Sequence, residues 1–557
     1  MILPEANQTE RNERNFAGAR SSILSHITKM LLSILVVIFC GASLSRAVAG
    51  EPRHVVVVVL DGMRPDFVTE QSTPTLWNLA KDGVTFRNHH AVYLSATNVN
   101  GTALATGAYP GHSGLIANYE YRPEIDNKKS TDVENPAGLR KGDELSGGKY
   151  LAAPTLAEII QAAGRKTVTA TAKGVGLSQD RHVDPMRGKD SVTLFEGNSL
   201  PPGALAPIVD VIGAFPKLSA KTYGKSDGWT TKALADFLWK EGVPAFSLLW
   251  LSEPDATQHL TAPGAPEALV AMKSSDENLA LVLAALDRQH ARVTTDIFVV
   301  SDHGFSTIEH AIDLRMILKG AGFDVATEFT AEPKAGQIML VANGGSVLFY
   351  AIGHDSAITR RLVEFLQQSD FTGVIFTKEP MDGAFGLDKA KIDSRNAPDV
   401  VMAFRWNENK NQFGVPGMID ADWQRAAGKG THATLSRFDM HNTLIANGPD
   451  FRRGQTDDLP SGNVDLAPTI LAIFGIAPPQ PMDGRVLSEA MVKSGRRGDT
   501  DSSRGEIDNQ TLKAETETIE ATKKLSSGTW HQTLRRSRVG STIYLDEGNG
   551  SFVAWKL

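Results

Sequence analysis

Cysteine is nearly absent: the 557 residues contain one, Cys40, and it lies in an apolar segment near the amino end. A chain processed beyond it has no disulfide and no thiolate metal ligand, so any metal must be held by oxygen and nitrogen. An excess of positive charge is also missing. With 57 Lys and Arg against 64 Asp and Glu, the formal net charge is -7, which gives no general electrostatic reason to expect a nucleic-acid polymer as partner. No internal repeat is evident. The 41% of hydrophobic side chains rules out a disordered chain and allows one large domain with insertions, or two domains.

Nor is there a stretch that clearly spans a bilayer. Arg11, Arg14, Arg20 and Lys29 precede the apolar residues 30–40, and Ala47-Val48-Ala49 follows with small residues of the kind a signal peptidase reads. At about 15 residues this run falls short of the roughly 20 that a membrane helix needs. Residues 1–49 are therefore read as a signal peptide with an extended n-region. The expectation is a periplasmic or secreted protein with no stable membrane span after processing, an uncleaved anchor being the alternative.

What is present is a repeated grammar of strand ends. Thr295-Asp296-Ile297-Phe298-Val299-Val300 runs into Ser301-Asp302-His303-Gly304, a short, β-branched, non-alternating stretch of the kind buried on both faces of a parallel sheet. His54-Val55-Val56-Val57-Val58-Val59-Leu60 ends likewise on Asp61-Gly62. Ala245-Phe246-Ser247-Leu248-Leu249-Trp250-Leu251 ends on Ser252-Glu253-Pro254-Asp255, with His259 one helical turn later. Ligands of open α/β sheets gather at the carboxyl ends of such strands.

Between these strands the chain alternates in type. Thr73 caps and Pro74 opens a helix, Thr97 lies in a polar loop over 93–102 that feeds another helix at 103–107, residues 155–164 form a helix closed by glycine, and Lys166 to Lys173 reads as a strand. Residues from about 120 to 150 read as a surface loop. Alternation of this kind predicts an α/β fold, a mostly parallel central sheet with helices on both faces. The expected organisation is a catalytic core over 50–303 and 431–490, an inserted subdomain over 304–430 beside the site, a polar linker over 491–528 and a terminal hairpin over 529–557.

Asp61, Asp255, His259, Asp302, His303 and His432 form the candidate site. Carboxylates and neutral imidazoles without thiolates suit zinc, with manganese or other divalent ions open as alternatives. Asp255 and His259, four apart, share one helix face. Six ligands are too many for one tetrahedral zinc and about right for two, and two ions stabilise the attacking and leaving oxygens of a displacement at phosphorus. Thr97, at the start of a helix, can supply a hydroxyl to that centre. His112, Glu253, Arg64 and His89-His90 are read as surface or supporting residues.

The ordered set of Asp61-Gly62, a Thr97 loop, Asp255 with His259, Asp302-His303-Gly304 and Gly430-Thr431-His432 before Ala446-Asn447-Gly448-Pro449 resembles the alkaline phosphatase superfamily, and within it the type I phosphodiesterase/nucleotide pyrophosphatase family, over roughly residues 54 to 487. The resemblance implies an alkaline-phosphatase-like fold and two divalent ions, zinc by preference. One would be held by Asp255, His259 and His432, the other by Asp61, Asp302, His303 and Thr97. It implies that Thr97 is the nucleophile, passing through a phosphothreonine that water cleaves, and that Asn100 and the Asn98 amide contact a phosphoryl oxygen. The formylglycine motif of the sulfatase branch is missing. Asn98-Val99 stands where nucleotide pyrophosphatases usually carry Phe-Pro, so Thr97-Asn98-Val99-Asn100 is also similar to the phosphonoacetate hydrolase and phosphomonoesterase branches, in which Lys173 would meet added phosphate charge. The expected function is hydrolysis of phosphodiester or nucleotide pyrophosphate bonds in a small phosphorylated substrate. A phosphomonoesterase, a phosphonate hydrolase and a catalytically silent phospho-ligand-binding protein remain the alternatives.

Overall fold

Five consecutive valines make the centre of the molecule. In the computed structural model, which describes residues 54–184, 188, 190–217, 219, 223–492 and 512–555, the strand His54–Leu60 has Val55 to Val59 no more than 2% exposed. β-branched side chains suit a pleated surface, and each valine removed from water contributes roughly 1.5–3 kcal/mol. The two faces of this strand meet different partners. Val56, Val58 and Leu60, with Ile297 and Val299, pack on helices Pro74–Asp82, Tyr223–Lys232 and Pro266–Arg288. Val55, Val57 and Val59, with Phe298 and Val300, pack on Thr97–Thr106, Leu156–Ala162 and Leu466–Phe474.

The sheet has nine strands in the order 455–457, 84–86, 444–447, 295–300, 54–60, 246–251, 167–171, 192–195 and 198–200. Its five middle members, from Thr295–Val300 to Val192–Phe195, are all parallel. Antiparallel pairs occur toward the edges, as where Thr295–Val300 meets Leu444–Asn447. Because the middle strands run the same way, Asp61, Asp302, Lys173 and the loop to Asp255 emerge on one rim. This is the mostly parallel α/β architecture that the strand grammar predicts.

The segment between the two halves of the core builds two further sheets. Six strands from Val325–Ala326 to Val400–Phe404 form one, covered by Leu314–Gly320 and Ser356–Gln367. In the other, Ser306–Ile312 pairs with Pro416–Asp422 and with Gly430–Thr431. The pairing of Ser306 with Thr431 joins the two ends of the segment, so the chain leaves the core after His303 and returns at His432 within one ladder. The described residues all lie in one compact unit, with this segment part of it.

Three local expectations are corrected. Thr73 does not cap its helix. Its hydroxyl donates to Thr69, and the carboxylate of Asp276 takes the free amides of Thr75 and Leu76 at 2.9 and 2.8 Å. The stretch read as a surface loop contains the helix Pro136–Ser146, capped by the side chain of Asn135. The polar stretch read as a linker contains the strand Ala514–Lys524, which pairs throughout with Gly528–Val539. The latter continues into Thr542–Ala554, making a three-stranded sheet rather than a hairpin. A sheet edge needs little burial, and its charged side chains protect it from pairing with other chains. The signal-peptide reading of residues 1–49 lies outside the described residues. Among the described residues no helix is long and apolar enough to cross a membrane.

The carboxy-terminal sheet docks on the inserted segment. Trp530 is fully buried among Phe349, Ile375 and Met402, and its Nε1 donates to the Gly383 carbonyl at 2.9 Å. The side chain of Gln532 both accepts from and donates to the backbone of Ile375. Trp530→Ala should therefore cost about 3–5 kcal/mol, seen as a lower urea midpoint; an unchanged midpoint would mean that other contacts hold the sheet.

Candidate active site

Each carboxylate is aimed by the backbone that follows its strand. Asp302 Oδ1 accepts the amides of Gly62 and His303, both at 3.0 Å, which ties two neighbouring strand ends together. Gly62 has φ +68, and an added Cβ would lie 2.9 Å from the Phe305 ring and 3.1 Å from Asp255 Cβ; only glycine turns the chain there without strain. Asp255 opens the short helix Asp255–Leu260, and its amide donates to the Asp61 carbonyl at 3.0 Å.

The imidazoles are aimed the same way. His259 Nδ1 lies 3.0 Å from the Gly430 carbonyl, His303 Nδ1 2.9 Å from the Gly304 carbonyl and His432 Nδ1 2.8 Å from the Ser95 carbonyl. A carbonyl only accepts, so each Nδ1 carries a hydrogen, and in the neutral ring each Nε2 is left as a lone pair. Burial lowers the pKa of His259 and of His432, which keeps both neutral, as metal ligands must be.

Two triads result, Asp255 with His259 and His432, and Asp61 with Asp302 and His303. In each, the donor atoms lie within 4.8 Å of one another. His303 and His432 stack across the two triads with ring centroids 3.7 Å apart. In each triad an imidazole lone pair faces a carboxylate oxygen: His259 Nε2 is 3.2 Å from Asp255 Oδ1, and His303 Nε2 is 3.2 Å from Asp302 Oδ2. Neither atom can donate, so these close pairs are not hydrogen bonds. Asp61 Oδ1, Asp255 Oδ1 and Asp302 Oδ2 are accordingly buried without a hydrogen-bond partner. Buried, unpaired carboxylate oxygens cost several kcal/mol unless a cation meets them. The donor set therefore fits two divalent ions.

The outer oxygens of the first two carboxylates are occupied. Lys173 Nζ donates to Asp61 Oδ2 at 2.7 Å and to Asp255 Oδ2 at 2.8 Å, and Trp250 Nε1 donates to Asp61 Oδ2 at 2.9 Å. Burial lowers the ammonium's pKa, but Asp255, Asp61 and Glu134 outweigh it and raise it well above the usual value. Burial also raises the Asp61 carboxyl, with Asp302 adding to it. At Asp255 burial acts upward as well, yet Lys173 and His259 hold the carboxyl well below its usual range.

Thr97 is the first residue of its helix, with its hydroxyl 3.3 Å from His303 Nε2. The structure thus brings Thr97, Lys173 and all six carboxylate and imidazole candidates to one rim. Three placements differ from expectation. Asn100 does not face the site: its Oδ1 accepts from Val92 and Asn463, while its Nδ2 donates to the carbonyls of Val92, Leu94 and Ala96. Every polar atom of the side chain is spent on the loop that carries Thr97. The Asn98 amide is likewise taken, by Asn118 Oδ1 at 2.9 Å. Lys173, expected to face phosphate, is bound first to the two ligand carboxylates, with one N–H beyond those two bonds.

Sequence reasoning missed Asn118 and Asn463. Asn118 is only half-buried, and no described group accepts from its Nδ2. Asn463 Nδ2 holds the Asp302 carbonyl at 2.7 Å, and its Oδ1 accepts from His89 at 3.0 Å. Asparagine is common in turns, so neither carried a signal without the fold.

The parallel sheet, the paired triads and the helix-borne hydroxyl define a metallohydrolase-type α/β protein. The profile of the family described as type I phosphodiesterase/nucleotide pyrophosphatase matches residues 55–404, and the chain belongs to that family. Human ectonucleotide pyrophosphatase/phosphodiesterase family member 1 is 25% identical over 251 residues, a match covering 44% of this chain and 23% of that protein. Member 7 from Rattus norvegicus is 22% identical over 473 residues, 84% of this chain and 93% of that one. Among solved structures, inactive murine ectonucleotide pyrophosphatase/phosphodiesterase 5 in complex with AMP shares the fold, with a TM-score of 0.54 at 16% identity, covering 79% of this chain and all of that one.

Asn100→Ala should destabilise the protein by about 3 kcal/mol, since it leaves buried backbone groups unpaired. Thermal unfolding with and without zinc checks this; an unchanged midpoint would return Asn100 to the list of residues free to touch a ligand.

Proposed function

We propose that the chain is an exported two-metal hydrolase of phosphate esters, cleaving phosphodiester or nucleotide pyrophosphate bonds in a small substrate with Thr97 as nucleophile. The observation that carries this reading is the pair of buried triads with three unpartnered carboxylate oxygens beside the Thr97 hydroxyl. Family membership and the activities named for its relatives support it. Asp255, His259 and His432 would hold one ion, and Asp61, Asp302, His303 and the Thr97 hydroxyl the other, zinc by donor set. Such ions, when bound, make a hydroxyl nucleophilic near neutral pH and offset charge on the attacking and leaving oxygens.

The chain's own residues do the rest. Asn100 and Asn463 fix the Thr97 loop and the Asp302 strand end to each other, so the hydroxyl is held in place before substrate arrives. The Thr97 oxygen attacks phosphorus, the bond to the leaving oxygen breaks, and that oxygen takes up a proton. Water then attacks phosphorus, the Thr97 ester bond breaks, and the hydroxyl regains its proton. The free Nδ2 of Asn118, next to the first turn of the Thr97 helix, is the donor placed to stabilise charge on a phosphoryl oxygen. Export rests on the amino-terminal segment and on relatives named as ecto-enzymes, and points to the periplasm or the exterior.

Lys173 favours a second reading, a phosphomonoesterase or phosphonate hydrolase. A buried ammonium between the triads adds a positive charge to the centre, and a monoester carries nearly one more negative charge than a diester.

The test is turnover of nitrophenyl phosphate monoester against a nitrophenyl nucleotide diester by zinc-loaded protein. The diester is expected to win, Thr97→Ala to lose roughly 10³-fold or more in kcat, and Asn118→Ala to lose roughly 10²-fold. Full activity in Thr97→Ala would overturn the nucleophile; no turnover of either ester would promote the binding-protein reading. Lys173→Met should raise the diester-to-monoester ratio of kcat/KM about tenfold, and an unchanged ratio would confine Lys173 to a structural role.

A further inference from the structure

Two more groupings of metal-type donors occur among the described residues. Glu309, His310 and Asp420 are partly open to solvent, and Asn407 and Arg405 already engage their carboxylates. The other, His90, His441 and Asp546, is different. His90 ends the two-residue strand His89–His90, His441 follows the helix Arg437–Met440, and Asp546 lies in the last strand, Thr542–Ala554. The donor atoms are within 4.8 Å of one another, and both His90 and Asp546 are buried.

The orientation repeats that of the catalytic imidazoles. His90 Nδ1 lies 2.9 Å from the Ser461 carbonyl, so it carries the hydrogen. In the neutral ring Nε2 then turns a lone pair toward Asp546 Oδ1, 2.9 Å away. The His441 ring sits 4.4 Å from that of His90, centroid to centroid, and neither of its nitrogens has a hydrogen-bond partner among the described residues. Ser537 Oγ donates to both oxygens of Asp546 at 3.1 and 2.9 Å, which fixes the carboxylate as outer partners of metal ligands do. Without an ion, His441 is left unused beside the His90–Asp546 contact.

We propose that His90, His441 and Asp546 bind a third divalent ion, zinc by donor set, which fastens the carboxy-terminal sheet to the core. Two imidazoles and one carboxylate are a zinc-type ligand set with a fourth position left for water. The ion would join three segments far apart in sequence, and His89, the neighbour of His90, donates to the Asn463 that holds Asp302.

The experiment is metal content by mass spectrometry of zinc-loaded, gel-filtered protein, together with the cobalt-substituted absorption spectrum. Wild type should carry three equivalents per chain, and Asp546→Asn and His441→Gln two each, with a lower unfolding midpoint and a smaller rise on adding zinc than in wild type. His441→Gln keeps the chain's hydrogen bonds, so it decides if Asp546→Asn fails to fold. Asp255→Asn provides the separate check on the catalytic centre: losing an equivalent there with turnover belongs to that site alone. Equal metal content in wild type and His441→Gln would overturn the proposal in favour of a metal-free His90–Asp546 contact.

Discussion

Three carboxylates buried at adjacent strand ends repel one another, and the architecture around them follows from that constraint. Asp61, Asp255 and Asp302 sit together because three parallel strands end on one rim. In a medium less polar than water such a cluster is tolerable only when its charge is offset. Lys173 offsets part of it, through the outer oxygens of Asp61 and Asp255. Asp302 has no such partner, and one oxygen of each carboxylate stays bare. His259 and His432 do not supply the missing charge, since burial keeps both neutral. The centre is built to be completed by cations.

The same constraint explains why the inserted segment closes on itself. His432 belongs with Asp255 and His259, but more than 120 residues separate it from His303. The ladder between Ser306 and Thr431 removes that separation and leaves His303 and His432 stacked. Folding of the insertion is thus coupled to assembly of the first triad. The carboxy-terminal sheet, sharing a core with the insertion through Trp530, supports the triad at one remove.

The strands and their acidic ends were legible because both signals are local: a β-branched run reports burial on two faces, and the residue after it reports the rim. The candidate ligands were legible because adjacency and helical spacing put Asp302 beside His303 and Asp255 beside His259. What failed was direction. Asn100 stands three residues from Thr97, a spacing that puts both on one side of a helix, yet its side chain folds back onto the carbonyls of Val92, Leu94 and Ala96 in the loop that precedes the helix. Asn118, far along the chain, comes back to the helix start through the turn at residues 114–118. The strand Ala514–Lys524 was missed because its Glu and Lys residues describe an edge facing water, and composition does not separate such an edge from a linker.

Lys173 shows how one charge can serve two ends. Its bonds to Asp61 and Asp255 hold the two triads at a fixed separation, a role that any substrate would require. Its charge is felt differently by different substrates. In the proposed mechanism, a diester transferred to Thr97 leaves a covalent intermediate that is still a diester with one negative charge, whereas a monoester leaves one with nearly two. The ammonium therefore stabilises the bound monoester, its transition state and its intermediate alike. An interaction of equal strength at every stage lowers KM more than it raises kcat. On the proposed mechanism, discrimination between the two substrate classes by this residue belongs to binding, and the chemistry at Thr97 is common to both.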